Sequence, residues 1–298
     1  MTTATATATA STTPQKKVTT LIFDVDDTLY DIGTGFTSHR NGEAAWRFMM
    51  EFLDFPDLES ARLLRDEFFE RYHSTAKALQ MAEQQGRLPP RRDRTAAAHD
   101  SNSAAAAPLQ PWKEPRFDPV DLAEYWASNL NFKLLDGPYK ALLQDLQECN
   151  LNIVAFSNGP RKYVIRVLQE LGLWETVFQH STLFAVDDVL PYCKPEKEAF
   201  DAVFAKIGVT ADECVLFEDS MKNIRKAKEL GVQTVLITGA GNSKRTKGGQ
   251  FIPAAAGDAP VEGDPAVDCA IETVQEMRAT LPGLWETPAV FAPFKHIM

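Results

Sequence analysis

From residue 139 onward, short apolar runs alternate with segments of helical period, and this alternation constrains the fold more than any other feature of the chain. It predicts helices over 139–148, 161–171, 195–207, 221–230 and 273–280, and strands over 151–156, 182–184, 214–217, 233–237 and 268–271. Another strand is expected at 18–23, where VTTLIF is β-branched, apolar and short, and runs into carboxylates. Strands that are apolar throughout are buried on both faces, and parallel neighbours need helical crossovers. The expected fold is α/β, a doubly wound parallel sheet.

A helical block interrupts this pattern after the first strand. Trp46, Met49, Met50 and Leu53 share one helix face, and Leu63, Leu64, Phe68, Tyr72 and Leu79 continue as a second helix. Residues 86–118, rich in Pro, Ala and Arg, predict a flexible insertion. A third helix follows over 120–130, with Asp118 as its cap and Pro119 in its first turn. The expected organisation is a disordered tail (1–17), a core (18–35 and 136–285), a small helical cap (36–135) and a C-terminal tail (286–298). The Thr/Ala-rich start is acid-free, as transit peptides are, but has neither arginine nor an amphipathic period.

Thirty-one Lys+Arg against 41 Asp+Glu leave a net charge of -10. Such a surface repels nucleic acid polymers and anionic lipid, so neither is expected as a partner. A phosphorylated substrate would need local positive charge, including a metal. The four cysteines, Cys149, Cys193, Cys214 and Cys269, are far apart and form no C-x-x-C pair. They read as buried free thiols of a reducing compartment, and the expected location is cytoplasmic. No apolar run approaches the length of a membrane span.

Ligands of parallel sheets bind at the carboxyl ends of the strands. There the sequence collects Asp24, Asp26, Asp27 and Thr28, then Ser157, Asn158 and Gly159, then Lys194 before Pro195, then Glu218, Asp219 and Ser220. Carboxylates this crowded call for a cation, and oxygen donors without His or Cys favour Mg²⁺. With the metal on Asp24 and Asp219, a phosphate dianion could enter and Asp24 could attack phosphorus as a nucleophile. Lys194 and the Ser157 hydroxyl are placed to hold phosphoryl oxygens, and Asp26 to protonate the leaving oxygen and later activate water.

In this order, Phe23-Asp24-Val25-Asp26-Asp27-Thr28-Leu29-Tyr30, Phe156-Ser157-Asn158-Gly159, Cys193-Lys194-Pro195 and Phe217-Glu218-Asp219-Ser220 resemble the four motifs of the haloacid dehalogenase superfamily of phosphatases. The resemblance is nearest to the fungal and plant pyrimidine 5′-nucleotidases, which the closing Leu284-Trp285-Glu286 also resembles. It implies a Rossmann-like core and a small phosphate ester as substrate, such as a pyrimidine nucleoside 5′-monophosphate. It implies an aspartyl-phosphate on Asp24, acid–base work by Asp26, and phosphate contacts from Ser157 and Lys194, with Thr28, Asn158 and Gly159 among the substrate-binding residues. Asp219, with Glu218, would ligate Mg²⁺ beside Asp24, and Asp26 would do so through its backbone carbonyl. Three departures bear on substrate choice: Tyr72-His73 where the branch tends to have Tyr-Gly, the long insertion that the branch lacks, and Gly159 where the second motif usually has Ala.

Other substrates are compatible with the same chemistry: flavin mononucleotide, sugar phosphates and phosphoglycolate, or a sugar hydroxyl as acceptor in a phosphomutase. A phospho-receiver signalling module shares the residue types but places its acidic pair before the phosphoacceptor, whereas Glu218 and Asp219 come last. His39 and His73 read as surface or packing residues, and Trp46, Phe48, Met49 and Phe52 as core. Arg87, Arg91, Arg92 and Arg94 read as a solvated run. Asp27 is expected to face away from the metal, since its side chain alternates with that of Asp26.

Overall fold

The computed structural model describes residues 17–91, 114–135, 137, 139–240 and 263–293. The tail at 1–16, most of the predicted insertion (92–113), part of the loop before the last strand (241–262) and residues 294–298 lie outside the described residues.

Six parallel strands form one sheet in the order β3-β2-β1-β4-β5-β6. They are β1 (Thr20–Phe23), β2 (Asn152–Phe156), β3 (Leu183–Phe184), β4 (Cys214–Glu218), β5 (Gln233–Ile237) and β6 (Cys269–Ile271). Each starts or ends within two residues of its predicted bound. The two faces divide the core as strand alternation requires. Leu21, Phe23, Val215 and Phe217 face one apolar cluster, whereas Ile22, Cys214 and Leu216 face the other with Phe200, Val203 and Phe204. Phe23 stacks on Phe217 across the central pair, with centroids 4.6 Å apart. Both faces are covered, which is why the strands lack polar alternation.

Between β1 and β2 lie the helices α1 (Phe36–His39), α2 (Ala45–Phe52), α3 (Leu58–Tyr72), α4 (Thr75–Gln84) and α5 (Pro119–Asn129). The core contributes α6 (Lys140–Gln147), α7 (Arg161–Glu170), α8 (Val186–Val189), α9 (Lys197–Ile207), α10 (Met221–Glu229) and α11 (Met277–Thr280). Asp118 caps α5 by accepting from the Val120 N–H at 2.9 Å, and Pro119 occupies the first turn. The long second helix expected from Leu63 to Leu79 is instead two. His73 takes the left-handed conformation (φ 54°) and ends α3, while Ser74 caps α4 from its side chain. The apolar period runs through this break, because both helices bury the same stripe.

Residues 86–118 are tied down where they are described. Arg87 pairs with Glu67, Glu83 accepts from the backbone N–H groups of Arg116 and Phe117, and Arg116 donates to the carbonyls of Pro89 and Leu53. Arg91 pairs with Glu114. The four cysteines are buried and free. Among the described residues, no helix is long and apolar enough to cross a membrane.

Gly137 lies where the chain passes from α5 to α6. A Cβ there would come within 2.3 Å of the Glu170 carbonyl oxygen, so only glycine fits without a backbone shift. Gly137→Ala is expected to cost about 1–3 kcal/mol in urea unfolding, the usual size of forced overpacking. An unchanged midpoint would mean that this close approach is not kept in solution.

Candidate active site

The carboxyl ends of β1, β2 and β4 converge on one buried ammonium. Lys194 is 1% exposed, and its Nζ donates to Asp24 Oδ1 at 2.7 Å, to the Phe156 carbonyl at 2.7 Å and to Glu218 Oε2 at 2.8 Å. Its three protons therefore have three acceptors, one from each strand end. Burial alone would make the ammonium give up its proton more easily, but Asp24 and Glu218 more than offset this and raise its pKa.

Asp24 carries the opposite burden. Burial pushes its pKa up to about 6, and Asp219 and Asp26 add to the rise against the pull of Lys194. Glu218 is raised well above the usual carboxylate range, first by burial and then by Asp24. Oxygens of Asp24, Glu218 and Asp219 lie within 4.8 Å of one another, the one such acidic group among the described residues. Three carboxylates against one ammonium leave a formal charge of -2, which a single divalent cation neutralises. All the donors are hard oxygens, so the set fits Mg²⁺. Asp24 and Asp219 suit this best. Both Glu218 oxygens already accept, Oε2 from Lys194 and Oε1 from the backbone N–H groups of Asp219 and Ser220.

The second strand end behaves differently from a row of ligand contacts. Ser157 is buried, and its Oγ accepts from the Gly159 N–H at 3.0 Å, which leaves its own proton to donate. The Asn158 side chain brackets the backbone of Lys194. Its Oδ1 accepts from the Lys194 N–H at 2.9 Å, and its Nδ2 donates to the Lys194 carbonyl at 2.8 Å. Gly159 lies beneath the Tyr163 ring, 3.0 Å from where its Cβ would be. Thr28 is buried with no partner for Oγ1 among the described residues. Asp27 stands outside the acidic group, in the left-handed conformation at φ 57°.

Asp26 is held apart from that group. Tyr30 and Tyr163 donate to its Oδ1 at 2.7 and 2.5 Å, and Arg40 forms an ion pair with its Oδ2. The sequence reading missed Arg40 and Tyr163. A signal for Arg40 was present: it continues the buried stripe of Phe36, Ala44 and Phe48 at four-residue spacing, where a cation must have a buried partner. Tyr163 sits among Val164, Val167 and Leu168, and nothing in that apolar context separates it from core.

The two histidines differ. His39 Nε2 accepts from the Asn131 N–H at 3.4 Å and serves packing. His73 lies at the α3–α4 break, where its carbonyl is 3.4 Å from Asn158 Nδ2 and its ring is 3.2 Å from Lys222 Nζ. Burial and then the Lys222 charge lower its pKa to about 4, so the ring is neutral.

A sequence profile for haloacid dehalogenase-like hydrolases matches residues 18–231. The protein YhcW of Bacillus subtilis (strain 168), whose name places it provisionally among phosphatases, is 29% identical over 98 residues, 33% of this chain. The aligned stretch spans 43% of YhcW, less than half of that relative. Among solved structures, CbbY from Rhodobacter sphaeroides in complex with phosphate aligns at a TM-score of 0.50 and 15% identity, covering 87% of this chain and 96% of that one. This likeness is one of fold. The L-2-haloacid dehalogenase of Xanthobacter autotrophicus with covalently bound chloropropionic acid aligns at 0.49 and 18%, covering 89% and 99%. The profile match spans most of the chain and includes the ends of β1, β2 and β4 together with Lys194, and by it the chain belongs to the haloacid dehalogenase-like hydrolases.

Proposed function

We propose that the protein is a phosphomonoesterase that works through an aspartyl-phosphate on Asp24, with a small phosphate ester as substrate. The observation that carries this reading is the pairing of two unlike carboxylates. Asp24 is fixed by Lys194 beside Glu218 and Asp219, and Asp26, two residues on, stands outside that acidic group. An oxygen of Asp24 bonds to phosphorus while the ester P–O bond breaks, and the departing alcohol oxygen takes a proton from Asp26. Water then attacks the aspartyl-phosphate, its proton returns to Asp26, and inorganic phosphate leaves. Each ester consumes one water.

Lys194 keeps the attacking carboxylate in place, and the Ser157 hydroxyl with nearby backbone N–H groups steadies phosphoryl oxygens. Asn158 acts through Lys194, whose backbone it holds. Mg²⁺, held by Asp24 and Asp219, would neutralise the acidic group and the incoming dianion. The motif resemblance favours a pyrimidine nucleoside 5′-monophosphate within this class. A halide leaves without a proton, so dehalogenation would leave Asp26 without the first of its two tasks, protonating the leaving group.

Phosphate release from a panel of nucleotides, sugar phosphates, phosphoglycolate, flavin mononucleotide and an aryl phosphate tests both the class and the substrate. Asp24→Asn should abolish turnover with the circular dichroism spectrum intact, and Asp26→Asn should slow alkyl esters by roughly 10²–10⁴-fold. Phosphate release by Asp24→Asn at a rate near wild type would end the aspartyl-phosphate reading.

The acidic group also predicts a pH response. Without metal, burial lets folded Asp24 hold its proton up to about pH 6, against about 4 for a free aspartate. A carboxyl raised in this way binds more protons folded than unfolded, so stability is lost as pH climbs from about 4 to about 6. In chelator, Asp24→Asn should flatten urea stability across that window. It should exceed wild type at pH 7 by on the order of 1–3 kcal/mol. Mg²⁺ should raise the wild-type melting temperature at pH 7. A chelated wild type whose stability is flat from pH 4 to 7 would contradict the crowding argument.

A further inference from the structure

Three buried side chains close on the Asp26 carboxylate, and two of them, Arg40 and Tyr163, lie outside the strand-end motifs. Tyr30 and Tyr163 share Oδ1, and Arg40 takes Oδ2 through Nη1. The same Nη1 donates to the Tyr163 hydroxyl oxygen at 2.8 Å, so Arg40, Tyr163 and Asp26 form a closed triangle. Arg40 Nε donates to Asn41 Oδ1 at 3.2 Å. The guanidinium carbon lies 5.1 Å from the centre of the Tyr163 ring and 5.4 Å from that of Trp126, so aromatic faces limit its movement.

The chain distorts to bring Arg40 there. The helical backbone is kinked just after it, at Gly42, whose φ of -93° and ψ of -115° are not helical. Burying a guanidinium costs several kcal/mol unless a counter-charge meets it, and among the described residues Asp26 is the one carboxylate paired with Arg40. The Tyr163 side matches. Its ring carbons Cδ1 and Cε1 lie 3.0 and 3.1 Å from where a Gly159 Cβ would be. The glycine that departs from the resembled motif thus leaves the space that this tyrosine fills.

We infer that Arg40, together with Tyr163, is a positioning residue that fixes the Asp26 carboxylate against the oxygen of the departing alcohol. This rests on the acid–base role proposed for Asp26. An aspartate side chain turns about two bonds, and donors on both of its oxygens leave it one orientation. Misplacing a reacting group by about 1 Å costs roughly 10²-fold in rate. If Arg40 only fastened α1 and α2 to the core, its loss would slow every substrate alike.

Leaving-group dependence separates these roles. An alkyl alcohol must be protonated as it departs, whereas 2,4-dinitrophenolate leaves as a stable anion. The expected result for Arg40→Gln is a fall in kcat/KM of about 10²-fold on an alkyl phosphate. On 2,4-dinitrophenyl phosphate the loss should stay within about threefold, well short of that displacement cost. KM should change little for either ester, and Arg40→Lys should recover part of the alkyl rate. Tyr163→Phe keeps the ring and removes only the hydroxyl, so it should show the same selective loss even if Arg40→Gln fails to fold. Equal losses on both esters in every folded variant would overturn the positioning role while leaving the phosphatase reading intact. A wild type without Asp24-dependent phosphate release from either ester would overturn both.

Discussion

The strand ends are organised around the Lys194 ammonium. It draws Asp24, Phe156 and Glu218 to one point, and these residues follow or end β1, β2 and β4, three neighbours at the centre of the sheet. A buried ammonium left unpaired would cost several kcal/mol. The site therefore depends on a register that places Phe23 opposite both Ala155 and Phe217. Slipping β1 by one residue would turn Asp24 to the other face and leave Lys194 short of a counter-charge. The stacked pair of Phe23 and Phe217 opposes such a slip from within the core.

The loop that carries Lys194 is fastened from two directions. On the core side, Asn158 holds its backbone N–H and carbonyl, and Glu196 Oε2 accepts from the Cys193 N–H at 2.9 Å. From the inserted helices, Lys77 pairs with Glu196, and the Ser74 hydroxyl donates to the Asn158 carbonyl at 3.0 Å. Ser74 thus caps α4 and also ties that helix start to the second strand end. The break at His73 is what allows this. A continuous helix would carry Ser74 in mid-turn, with its side chain beside its own backbone rather than over the loop. The turn is made by a left-handed histidine, a conformation that side chains other than Gly, Asn and Asp rarely adopt.

What could be read from the sequence was whatever is local. Strand ends, the Asp118 cap and the acidic motifs each declare themselves within a few residues, and parallel-sheet geometry then assembles them. Arg40 shows locally only as a cation in an apolar stripe, because its partner Asp26 is 14 positions away and Tyr163 is 123 away. The break between α3 and α4 was hidden for another reason. Both helices bury one continuous apolar face, and only the capping serine at 74 marked the interruption. At Asn158 the motif names the residue without saying which way its side chain points, and that amide is spent on Lys194.

The two central carboxylates end up in opposite surroundings although a single residue separates them. β1 ends at Phe23 and the chain turns from Asp26 on, so the strand rule that would put both side chains on one face no longer applies. Asp24 points toward Glu218, Asp219 and one ammonium, an environment with a surplus of negative charge, and its pKa rises accordingly. Asp26 points toward a guanidinium and two phenolic donors. A divalent cation therefore has an electrostatic reason to settle beside Asp24 and none to settle between Asp26 and Arg40. On the proposed mechanism, this is the division of labour that two aspartates need: the side chain that attacks would share the metal with Asp219, and the side chain that moves protons is held by Arg40, Tyr30 and Tyr163.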